Sequence, residues 1–191
     1  MKPGSQTADF KLATQLNGEW IEHRHVARFS VKENERGRPK LTASIPGTDA
    51  APYFALTTIL KPPYFVLYIL HTPRGEGEAG RYQSTELSRE ELTEFLEHFE
   101  EFWVGDGRFD LWVYSLSDQA TVVWDRHNFI HAYGPVDEYA LALSAQGFVQ
   151  APLTPLSDHV HHYRAEFDSD AGDVLDWFSW VRSPLRPEDE Q

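Results

Sequence analysis

The chain has 191 residues, with 17 basic and 30 acidic side chains, nine histidines, six tryptophans and no cysteine. The missing cysteine excludes disulfides, zinc–thiolate sites, iron–sulfur clusters and cysteine nucleophiles, and a hydrophobic content of 41% excludes a disordered chain. A single domain of this length buries roughly 70% of its unfolded surface and needs no staple.

Charge is divided unevenly. Residues 1–40 carry eight basic and five acidic side chains, and residues 41–191 carry nine and 25. Nucleic acid and anionic membrane would be repelled by most of such a surface, whereas an acidic face attracts a basic protein partner and speeds its approach. The start, Met1 to Asp9, has no apolar run behind Lys2, and the richest window, Tyr64 to Leu70, suits a buried strand. A cytoplasmic protein with no membrane contact is expected.

From Trp20 to Lys32 polarity alternates, with Ile21, His23, His25, Ala27, Phe29 and Val31 on one face, so a half-buried strand is expected. Glu33–Lys40 forms a charged turn, and Leu41–Ile45 returns as its partner. Tyr53–Leu60 and Tyr64–His71 are continuous apolar runs split by Lys61-Pro62-Pro63, which reads as strand–turn–strand. His71 to Glu86 reads as a structureless loop holding Arg74 and Arg81.

A helix is expected from Ser88 to about Val104. Ser88 and Glu91 form a capping box, and Leu92, Phe95, Leu96, Phe99, Phe102 and Trp103 make one apolar stripe. Glu90, Glu94, Glu97, Glu100 and Glu101 stay off that stripe. Phe109–Ser115 and Thr121–Asp125 read as strands about a turn, and His127–Tyr133 as a third extended piece. Pro135 opens a helix that Gly147 closes, with Phe148 folding back on Leu143. Asp158–Phe167 reads as extended, and Asp168, Ser169 or Asp170 caps a last apolar helix bearing Trp177 and Phe178. Strand runs joined by short turns define an α+β domain over residues 10–182, a largely antiparallel sheet with about three helices. Residues 1–9 and 183–191 read as tails.

Gly75-Glu76-Gly77-Glu78-Ala79-Gly80 spells G-x-G-x-x-G, but the next helix begins eight residues later and two glutamates would face the diphosphate. It is read as a surface loop. Asp168 to Asp173 resembles a calcium loop, but its glycine falls one place early and Ser179 stands where a glutamate is required. No nucleophile elbow, P-loop or kinase motif occurs, and no residue pattern assigns the chain to a known family.

The histidines carry more chemistry. His23-Arg24-His25 and His159-Val160-His161 are two H-x-H pairs in extended segments, where residues two apart share a face. Brought together, they offer four imidazole nitrogens to zinc or another divalent transition metal, with Asp158, His162 or Asp168 adding a ligand or an acceptor. His127 and His131 also lie on one side of their segment.

Two functions follow. The first is a non-catalytic, acidic interaction module, an inhibitor or immunity-like protein that meets a basic partner through Glu90, Glu94, Glu97 and Glu101. The second is a metal-dependent hydrolase or metal-binding protein using His23, His25, His159 and His161 with Asp158. A cleft at Arg74 and Arg81 that holds a small ligand is a further expectation.

Overall fold

The computed structural model describes residues 11–34, 36–47, 49–156 and 158–189; Met1–Asp9 lies outside them. Four strands come first: β1 (Leu12–Leu16), β2 (Glu19–Glu22), β3 (Arg28–Glu33) and β4 (Pro39–Ser44). Then follow α1 (Ala51–Ile59), β5 (Tyr64–Leu70), β6 (Gly80–Gln83), α2 (Arg89–His98) and α3 (Glu100–Gly105). A meander of β7 (Phe109–Ser115), β8 (Ala120–Trp124) and β9 (Phe129–Tyr133) leads to α4 (Val136–Ala145) and β10 (Val149–Gln150). The chain closes with β11 (His159–His161), α5 (Asp168–Trp177) and β12 (Val181–Ser183).

A nine-stranded sheet runs β10-β3-β4-β9-β8-β7-β5-β6-β12, antiparallel except between β10 and β3, and a small sheet runs β11-β1-β2. The expected α+β class with a largely antiparallel sheet is therefore correct. One face of the large sheet presents Val66, Tyr68, Leu111, Val113, Val122 and Trp124 to the helices, all fully buried. An aromatic cluster of Tyr68, Phe95, Phe102, Trp103 and Phe109 joins α2 and α3 to that face. No helix among the described residues is long and apolar enough to cross a membrane.

Several local expectations need correction. The run Tyr53–Leu60 is helix α1 rather than a strand. Pro52 sits in its first turn, Asp49 accepts from Ala51 N–H at 2.8 Å, and Tyr53, Leu56, Thr57 and Leu60 are buried at helical spacing. The long helix after Ser88 keeps its capping box but breaks at Phe99, whose φ of −103° and ψ of 20° leave the helical range. There the Leu96 carbonyl accepts from the Trp103 indole N–H at 3.0 Å. The expected strand Trp20–Lys32 is two strands, β2 and β3, separated by the segment that carries His23 and His25.

The loop after His71 is pinned by ion pairs. Arg108, fully buried, holds Asp106 through two nitrogens and also Glu76 and Asp168, at 2.8–3.1 Å. Asp168 thus accepts from Arg108 and Arg74 instead of capping α5, whose N-cap residue Phe167 makes no side-chain cap. Gly147, at φ 87°, closes α4 as expected, and Phe148 N–H donates to the Leu143 carbonyl. Beyond residue 182, Ser183 pairs with Arg81 in the sheet, and the buried Asp189 carboxylate pairs with the Arg81 guanidinium.

Candidate metal centre

Three histidines from two segments meet at one end of the large sheet. His127 stands in the tight β8–β9 turn. Asp125 Oδ1 accepts there from the N–H groups of His127 and Phe129 at 2.9 and 2.8 Å, and Asn128 takes a φ of 59°. Trp124 Nε1–H donates to Asn128 Oδ1 at 3.1 Å and locks the turn to the core. His159 and His161 come from β11, which pairs with β1 in the register Thr14↔His159 and Leu12↔His161. The two side chains share a face because they are two residues apart.

The rings of His127, His159 and His161 lie 4.9–5.1 Å apart between centroids and are mutually tilted by 59–82°. One ligand nitrogen from each lies within 4.8 Å of the others. Tetrahedral zinc with bonds of 2.0–2.1 Å needs nitrogens about 3.3 Å apart, so modest side-chain rotation would close the site. His161 Nε2 is buried without a hydrogen-bond partner, an arrangement that a metal ion would satisfy. Gly107 lets the backbone pass beneath His161, because a Cβ there would stand 3.1 Å from His161 Cβ and 3.2 Å from the Lys11 carbonyl.

Electrostatics favour the neutral form of His161 and His127. Burial, together with the neighbouring His127 and His159, lowers the His161 pKa to about 3. Burial likewise lowers that of His127, although Asp125 opposes the shift. Neutral imidazole is the form that binds metal. Burial by itself would raise the Asp125 pKa. The hydrogen bond and charge of His131, with the Phe129 N–H, reverse this and hold it below the usual carboxylate range. Asp125 Oδ2 lies 3.0 Å from His131 Nε2 and 3.9 Å from His127 Nδ1. At 3.9 Å the carboxylate is beyond hydrogen-bond reach of the His127 ring, and it holds that residue through its main-chain N–H instead.

His23 and His25 reach this place in another role. His25 Nε2 lies 2.9 Å from the His127 carbonyl, which can only accept, so Nε2 carries the proton. His25 Nδ1 then accepts from His23 Nε2–H across 3.2 Å. This two-imidazole chain braces the backbone of His127, and the field of His159 reaches both rings. The His23–His25 pair thus meets the main chain of His127, and the triad takes its third nitrogen from His127 itself. Asp158 is exposed and lines an open depression with His159, Trp20 and Leu156.

Two neighbours had no signal in the sequence reading. His71 Nε2 pairs with Asp110 Oδ2 at 2.9 Å, and Asp110 Oδ1 accepts from Arg126 N–H. Lys11 is fully buried, with Nζ 4.0 Å from the centroid of the Trp124 ring and without a hydrogen-bond partner. Burial lowers its pKa to about 7 against the raising fields of Asp125, Asp110 and Asp106.

The other expected sites look different. Arg74 pairs with Asp168 at 2.9 Å and Arg81 with Asp189, so both cations are engaged by carboxylates. Glu90, Glu94, Glu97 and Glu101 are all exposed along α2 and α3. No protein-family model matches the chain, and neither does any curated protein or solved structure.

Proposed function

We propose that the protein binds one divalent transition metal ion, of the zinc class, through His127, His159 and His161, and acts as a metal-dependent hydrolase. The observation that carries this reading is the approach of three ligand nitrogens within 4.8 Å of one another. Three imidazoles match the donor set of open catalytic sites, in which a fourth position holds water acidified toward neutral pH. Asp125 accepts the main-chain N–H of His127, and the His23–His25 chain donates to its carbonyl, so the backbone of this ligand is held from both sides. His159 borders the open depression beside Asp158, which gives solvent and substrate a route in.

The test is metal content by plasma mass spectrometry on untagged protein purified without added metal or chelator. Near-stoichiometric zinc, iron, nickel or manganese is expected, and it should vanish when His159→Ala and His161→Ala are combined. Chelator-sensitive cleavage of simple ester or phosphoester reporters then tests the hydrolytic part. Trace metal in the wild-type protein that zinc addition does not raise would contradict the reading.

A second reading rests on the exposed glutamates. Glu90, Glu94, Glu97 and Glu101 form an acidic face on α2 and α3 suited to a basic protein partner. Binding led by charge weakens as salt rises, so capture of a basic partner that ignores salt would count against it.

A further inference from the structure

The helices cover one face of the nine-stranded sheet, and the strand register defines what lies on the other. Across that face runs the row Lys32, Lys40, Tyr133, Thr121, Tyr114, Phe65, each directly opposite the next on the neighbouring strand. All these side chains are half-buried or exposed, whereas Leu41, Val113 and Val122 on the helix side are fully buried.

Two features of this row are unfavourable for folding alone. Lys32 and Lys40 stand directly opposite each other, a like-charge pair that destabilises a sheet. Neither lysine makes an ion pair among the described residues, and the Lys40 ammonium instead lies 5.4 Å from the centroid of the Tyr133 ring. The β3–β4 hairpin adds Arg28, Arg36 and Arg38. Five of the eight basic side chains of residues 1–40 therefore gather on one hairpin. The overall charge of −13 is an average that conceals this local surplus.

We propose that this row, the accessible part of that face, binds single-stranded nucleic acid, with Lys32 and Lys40 on the phosphates and Tyr133, Tyr114 and Phe65 stacking bases. Cations beside aromatic rings on a sheet surface suit this ligand, since every base offers a flat face and the backbone a line of charge. An acidic peptide would use the lysines but not the row of rings. Neighbouring strands are about 4.8 Å apart, so Tyr114 and Phe65 are adjacent platforms and Tyr133 lies two strands beyond Tyr114, across Thr121. The binding needs no metal and stands apart from the histidine site.

The experiment is fluorescence anisotropy with a labelled thymidine 12-mer, at about 50 mM salt and in chelator, where electrostatic contacts remain strong. Saturable binding is expected, with Tyr133→Ala weakening it about tenfold and Tyr133→Phe restoring it. Replacing Lys32 and Lys40 together by Gln should flatten the dependence of log affinity on log salt by about 1.4, or 0.7 for each lost phosphate contact. Urea melts establish that each variant is folded. Absence of binding by the folded wild-type chain overturns the proposal. So does equal binding of poly-glutamate with no effect of Tyr133→Ala, which would make the face a surface for acidic proteins.

Discussion

Replacing Lys11 by Met should stabilise the protein, and by an amount that depends on pH. Nζ is fully buried, makes no hydrogen bond and has a pKa lowered from 10.5 to about 7. A drop of that size corresponds to a penalty of about 4–5 kcal/mol for the charged form relative to the unfolded chain. Part is offset by the Trp124 face, since a desolvated cation–π contact contributes about 2 kcal/mol. Met keeps the length of the side chain without the charge, so a gain of about 2–3 kcal/mol is expected at neutral pH. The pH dependence has a definite sign. Between pH 7 and 10.5 the unfolded chain holds a proton that the folded chain lacks, so wild-type stability rises with pH through this window. Below pH 7 both states are protonated and the full penalty persists. The advantage of Lys11→Met should therefore shrink by up to about 1.4 kcal/mol per pH unit above 7. Urea unfolding followed by tryptophan fluorescence, on chelator-treated protein at a series of pH values, measures it. A variant less stable than wild type at every pH, or an advantage independent of pH, would refute the reasoning.

Other substitutions probe the parts around the site. Asp125→Asn weakens the acceptor that holds His131 Nε2 and the main-chain N–H of His127, and should weaken zinc binding by about tenfold in a competition titration. Gly107→Ala places a methyl 3.1 Å from His161 Cβ. It should lower stability by about 1–3 kcal/mol and weaken zinc binding as well, both measurable on one preparation. Arg108→Met leaves Asp106 buried with its strongest partner gone, so a loss of about 3–5 kcal/mol is expected in urea melts. An unchanged midpoint would show that the ion-pair cluster does not hold the loop after His71.

Sequence pattern was informative where a periodicity had one interpretation. The alternation of Phe109–Ser115, the capping box at Ser88 and the Gly147–Phe148 closure all correspond to elements of the structure. It misled where the pattern was ambiguous. Tyr53–Leu60 is apolar but for Thr57 and Thr58, so strand and helix were equally compatible by hydrophobicity, and only the spacing of its buried residues separates them. The break at Phe99 left no trace in a stripe that continues through Trp103. At the site, the H-x-H spacing correctly placed His159 and His161 side by side. It could not rank His127 above His23 and His25, because that order depends on how the β8–β9 turn meets β11, a contact between residues more than 30 positions apart. Lys11 was invisible for the same reason. Nothing next to it in sequence announces that Trp124 and Phe109 will enclose its amine.

The central claim is that His127, His159 and His161 form one metal site. Calorimetric titration of zinc into chelator-stripped protein tests it most directly, with the wild type compared with His127→Ala. One zinc per wild-type chain is expected, with loss of that binding in the variant although His159 and His161 remain. Wild-type protein that takes up no zinc, or a variant that binds it equally well, would contradict it.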